Sequence, residues 1–120
     1  MPRPLLTLHI PPAAVAPAVA RRAAAPWLRE TGVPDAAAAN ALLVISELVT
    51  DGVLHSGGDI DIRAEVEGGA LFIHVTTPPS VLDAPREGVG LGLVGACCDV
   101  VDVRDDVSGF RHVVCTIALR

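Results

Sequence analysis

The sequence predicts an α+β protein, a two-layer sandwich in which about three helices cover one face of a mostly antiparallel mixed sheet. Three observations predict it. The apolar residues change period along the chain, helix-like over residues 13–55 and alternating over 59–76 and 99–119. Two pairs of alternating segments are joined by short glycine turns, "EGG" at 67–69 and "VSG" at 107–109, which are hairpin signals. Finally, no strand leads directly into the glycine-rich stretch at 88–92, and a parallel strand–helix–strand order is missing.

The elements follow in order. "LLTLHI" at 5–10 reads as a first strand, ended by Pro11 and Pro12. Residues 13–30 are alanine-rich and helix-prone; Pro17 fits a first turn, and Pro26 is expected to kink or end the helix. Gly32 is placed to terminate it. Asp35 is a good N-cap for a long helix from Ala36 to about His55, stopped by "SGG". "DIDIRAEV" at 59–66 and "ALFIHVT" at 70–76 form a hairpin. Residues 77–87 form a loop, and 88–98 begin with glycines and become helical. "DVVDVRDD" and "FRHVVCTIAL" form the closing hairpin. There is no internal repeat, and residues 1–120 read as one domain.

Composition narrows the function classes. Half of the 120 residues are hydrophobic, yet there are only two Phe, one Trp and no Tyr, so the core is aliphatic. A net charge of −5 argues against a general nucleic-acid binder. No uninterrupted apolar run reaches the roughly 18 residues that span a bilayer, and the N-terminus lacks a signal-peptide pattern. The expectation is therefore a cytoplasmic protein without membrane or nucleic-acid partners. Cys97, Cys98 and Cys115 lack CxxC spacing and read as buried free thiols of a reducing compartment.

Chemistry concentrates in "ISELVTDGVLHSGG", residues 45–58. Ala41, Val44, Ile45, Leu48 and Gly52 make one apolar stripe, with His55 inside it and Asn40, Glu47 and Asp51 along its margin. A carboxylate at such a margin is partly desolvated and still reaches a ligand. The helix alone is equally compatible with two idle exposed acids and a histidine that caps the helix end. The second stretch, "REGVGLGLVGA", alternates Gly88, Gly90 and Gly92 into a helix, and such backbone can approach a phosphate. Glycine-rich turns are common, so this signal by itself is weak. Arg86 and Arg111 could reach phosphates, but surface arginine is the simpler reading of each. His74 reads as a solvent-facing strand residue, and Ser46 and Ser80 lack partners for hydrolase chemistry.

In this order and at this distance the two stretches resemble the GHKL (Bergerat-fold) ATPase superfamily. Most similar is its branch of anti-sigma-factor serine kinases and stand-alone ATP-binding regulators of actinobacteria. "SELVTDGVLHS" is similar to the branch's E-L-V-T-N-A-x-x-H-S signature, and "GVGLGLV" to its G-x-G-L-x-L-V box. The resemblance covers nearly the whole chain. It implies that Glu47 is the general base and that Asp51 holds Mg²⁺ on ATP. It further implies that His55, Gly88, Gly90, Leu91 and Gly92 line the nucleotide site, and that Thr77 stands at the adenine. The implied partners are a sigma factor or its antagonist, with a possible homodimer.

The departures from that pattern predict an impaired site. Asp51 replaces asparagine; two like charges about 4 Å apart repel by roughly 4 kcal/mol at an effective dielectric near 20, so ATP would bind only with Mg²⁺. Thr77 replaces the adenine-binding aspartate, and "PPS" follows where the pattern has a glycine turn. "SGFRHVV" puts His112 near a position that usually helps hold the base. Three functions remain in competition: an ATP-binding regulator of the serine/threonine kinase type, a protein-binding module that has kept the fold and lost the nucleotide, and a nucleotide-binding protein without kinase activity.

Overall fold

The computed structural model describes residues 5–81 and 91–119. Its elements run β1 (Leu5–Ile10), α1 (Ala16–Glu30), α2 (Asp35–His55), β2 (Ile60–Glu67), β3 (Ala70–Thr77), α3 (Leu91–Cys97), β4 (Val100–Asp105) and β5 (Arg111–Ala118). The strands form one sheet in the order β1-β2-β3-β5-β4, and every ladder is antiparallel. The three helices cover one face, as the sequence predicts.

Local chemistry explains the boundaries. Pro17 lies in the first turn of α1, where its missing N–H costs nothing. Of the two expected effects of Pro26, a kink or an end, it does not produce the end: α1 continues to Glu30. A proline there removes one intrahelical bond close to the C-terminus, while burial of Ala20, Ala24 and Leu28 keeps the last turn on the core. Gly32 then closes α1 as expected. At φ +74° it sits just past the cap, with Gly32 N–H donating to Arg29 and Val33 N–H to Leu28. This is the paired Schellman arrangement, and Val33 and Leu28 are both buried behind it. Pro34, not Asp35, is the cap residue of α2, and Asp35 is its first helical residue. There its carboxylate still favours the positive end of the helix dipole. Gly68 and Gly69, both at positive φ, make the two-residue β2–β3 turn.

The core lies between sheet and helices. Ile60, Ile62, Leu71, Ile73, Val75, Cys115 and Ile117 face Ala41, Val44, Ile45, Leu48 and Val49 of α2. By length and mean hydropathy (1.5) α2 could cross a membrane. Glu47 and Asp51 interrupt its apolar run. In the fold it is the central helix, packed on α1, α3 and the sheet.

Strand parity decides which residues reach the helices. Leu6, Leu8 and Ile10 of β1 point inwards, and Leu5, Thr7 and His9 point outwards. The outward face of the sheet carries Arg63, Phe72, His74, Thr76, His112 and Val114, with no described helix over it.

Candidate functional site

The C-terminal half of α2 gathers the charged residues. Asp51 is buried, and its Oδ1 lies 3.6 Å from Nε2 of His55, one turn on. Glu47 is half-buried one turn before Asp51. Helical spacing aligns the three, as the sequence predicts, and packing of the adjacent stripe draws Asp51 and His55 out of water. Asn40 is exposed two turns earlier. It lines a separate groove of about 310 Å³ with Ala37, Cys97, Cys98 and Asp99.

β3 brings a second wall to the same end of α2. Thr77, its last residue, is buried and points to the helix side. Gly52 lies against it: a Cβ on Gly52 would come within 2.8 Å of Thr77 Cγ2 and 2.9 Å of Ile60 Cδ1. The helix therefore approaches the sheet where a residue without a side chain follows Asp51. Thus Thr77, distant in sequence from Asp51 and His55, shares one corner of the fold with them.

Residues 78–81 form the rim of this corner. Val81 N–H donates to the His55 carbonyl, and Ser56 bridges to Ser80. Pro78 packs on Gly58, and Pro79 on Gly109 in the β4–β5 turn. The two prolines wedge the rim between the α2–β2 turn and the last hairpin.

On the other side stands α3, which packs on α2 through buried Val94. Leu91 and Gly92 open this helix; Leu91 is half-buried, and Gly92 is exposed with open space around it. Gly88, Gly90 and Arg86 lie outside the described residues.

His112 is not brought to this corner. In the β3–β5 ladder Thr76 is opposite His112, and Thr77 is opposite Arg111. Side chains alternate along a strand, so His112 points to the outward face, away from α2. The residue on the helix side is Arg111. Its side chain is 15% exposed, and its Nε donates to Asp105 Oδ1 at 3.0 Å. The alternation of Val113, Cys115 and Ile117 carries this information: counted backwards from those core positions, Arg111 and not His112 shares their face. The shift by one residue reverses the side on which the expected contact would lie.

Cys115 is fully buried, and Cys97 and Cys98 are half-buried, all as free thiols. Burial pushes the Cys98 and Cys115 thiols above the ordinary range, so both stay protonated and weakly nucleophilic.

No family model matches the sequence, and no curated protein does. The fold is similar to a crystal structure of the RsbU and RsbW domains of Rv1364c from Mycobacterium tuberculosis, with a TM-score of 0.82 and 23% identity. The match covers 98% of this chain and 33% of that one, so the chain spans about a third of that structure's length. At this identity the likeness establishes the fold.

Proposed function

We propose that this chain is an ATP-binding regulatory protein of the anti-sigma-factor serine kinase type, with a weakened nucleotide site. The observation that carries the reading is the corner itself: buried Asp51, His55 within 3.6 Å of it, and buried Thr77 against Gly52. These are residues to which the sequence resemblance assigns metal and nucleotide contacts. The similarity of fold to a structure containing an RsbW domain supports it.

The donor set fits Mg²⁺: a buried carboxylate is a hard oxygen ligand, and Asp51 supplies one. When bound, Mg²⁺ offsets the charge of the triphosphate and polarises its terminal phosphoryl group. Asp51 holds the cation and, without it, repels the phosphates. Glu47, half-buried one turn earlier, takes the proton from an incoming serine hydroxyl of the protein substrate. Thr77 offers the adenine amine a neutral acceptor, worth about 0.5–1.5 kcal/mol, where a carboxylate is worth about 1.5–3. Gly88, Gly90, Leu91 and Gly92 give backbone N–H groups to the phosphates. The protein partner is a sigma factor or its antagonist, met in the cytoplasm, with this chain acting as a homodimer.

A titration calorimeter tests the reading. Saturable ATP binding with Mg²⁺, lost in chelator, is the expected result; equal affinity in chelator counts against the role of Asp51. The Asp51→Asn variant should bind ATP more tightly, because it removes the repulsion. Glu47→Ala should bind ATP and fail to transfer phosphate to serine. A second reading, a protein-binding module without nucleotide, is favoured by the Pro78–Pro79 wedge, which stiffens the rim. Absence of ATP binding in Mg²⁺ selects it.

A further inference from the structure

The outward face of the sheet carries a cluster that the nucleotide corner does not use. His74 and Thr76 come from β3 and His112 from β5. Thr76 is directly opposite His112, and His74 is opposite Val114, so the two histidines are diagonal neighbours across the ladder. His74 Nε2 lies 3.1 Å from His112 Nδ1. Thr76 Oγ1 lies 3.3 Å from the first nitrogen and 3.4 Å from the second. Three donor atoms thus form a nearly equilateral triangle. Nitrogens bound at about 2.0–2.1 Å to one tetrahedral cation are separated by about 3.3 Å, so the spacing already suits a shared ion.

The other nitrogen of His112 strengthens the case. Its Nε2 lies 2.9 Å from Asp106 Oδ2. A carboxylate on the far ring nitrogen is the usual support of a metal-binding imidazole: it fixes the tautomer and raises the basicity of the ligating atom. With Nε2–H donating to Asp106, His112 Nδ1 carries a lone pair. His74 Nε2 then donates to it in the metal-free chain. With that proton moved to His74 Nδ1, His74 Nε2 offers a second lone pair and no net proton is released. Burial, His112 and Arg63 hold the His74 pKa below its ordinary value, which keeps this ring neutral near pH 7.

We propose that His74 and His112 form a two-imidazole site for a late first-row divalent transition-metal ion, with Thr76 at its edge and Asp106 orienting His112. Imidazole pairs favour copper(II), nickel(II) and zinc over magnesium or calcium. A groove of about 350 Å³, lined by His74, Asp102, Arg104, Asp106, His112 and Val114, admits the ion with its remaining waters. Among the described residues no group of three or more His, Cys, Asp or Glu is placed to hold a metal ion, so water completes the coordination. Two cations border the site and limit its affinity. Arg104 is opposite His112 but is paired to Asp102 at 3.0 Å, and Arg63 is opposite His74.

The test titrates the full chain with copper(II) and reads the nitrogen hyperfine pattern by electron paramagnetic resonance. One ion per chain with two imidazole nitrogens is expected. His74→Gln and His112→Gln should each remove the two-nitrogen signature, and Asp106→Asn should weaken binding about ten- to a hundredfold. His9→Gln should leave the signature in place, because His9 lies on β1 with its own carboxylates, Asp59 and Asp61. Zinc added to the unaltered chain, followed by NMR of the histidine ring protons, reads the same site without any variant. Shifts confined to His74 and His112 support it. No copper binding, a signature that survives both glutamine variants, or zinc shifts at other histidines would overturn it.

Discussion

Single residues decide how close α2 comes to the sheet. Gly52 has no Cβ, and the space it leaves is filled by the methyl of Thr77 and the side chain of Ile60. Gly52→Ala should therefore destabilise the fold by about 1–3 kcal/mol through overpacking, read as a lower urea midpoint. Thr77→Ser removes the Cγ2 that the new methyl would strike. In a double-mutant cycle it should recover part of the loss, leaving Ile60 as the remaining conflict. If the two changes instead add independently, the contact across Gly52 does not control the approach. The identity of these residues was plain in the sequence, but their contact was not, because it joins the end of a helix to the far end of a strand in the hairpin that follows.

At the level of elements, the chain signals its boundaries where a local hydrogen-bond pattern requires them. The end of α1 is one case. Gly32 occupies the left-handed region at φ +74°, and two backbone bonds depend on it. Gly32→Ala should cost about 1–2 kcal/mol with nothing striking the added methyl, so the loss comes from the backbone conformation alone. Gly32→Asn, which tolerates that region better, should cost less; equal losses for the two variants would point to another cause. Pro26 shows the opposite case. Its local signal says stop, and burial of Leu28 beyond it overrides the signal. The stripe of α2 was legible for the reason that it is buried: a helical period of apolar residues is the imprint of one packed face. The facing of β5 is written in its alternation as well: Val113, Cys115 and Ile117 share one face, and the same period places Arg111 on it.

Across the whole molecule, two histidines pull stability in opposite directions as pH changes. His9 is raised by its hydrogen bonds to Asp61 and then Asp59. Its contribution is fully present below the unfolded value near 6.5 and is lost as pH rises through the folded value. His74 is lowered, first by burial and then by His112 and Arg63. The fold is free of its penalty above 6.5, and the penalty grows as pH falls from there through the folded value. Urea midpoints measured between about pH 5 and 8 should separate the two. His74→Gln should make the chain relatively more stable at the acid end, and His9→Gln relatively less. A profile unchanged by either substitution would mean that neither ring is coupled to folding.

Period and turn chemistry, both written within a few consecutive residues, were enough to specify the helices, the hairpins, the two-layer class and the aligned Glu47, Asp51 and His55. What sits beside what across the sheet was settled by packing. His74 and His112 are 38 positions apart and meet only because β3 and β5 pair in one register. That same register sends His112 away from Thr77 and brings Arg111 to it. A strand's own residues fix which of them share a face, while the partner strand and the helix layer fix which face is inward and which neighbours it meets.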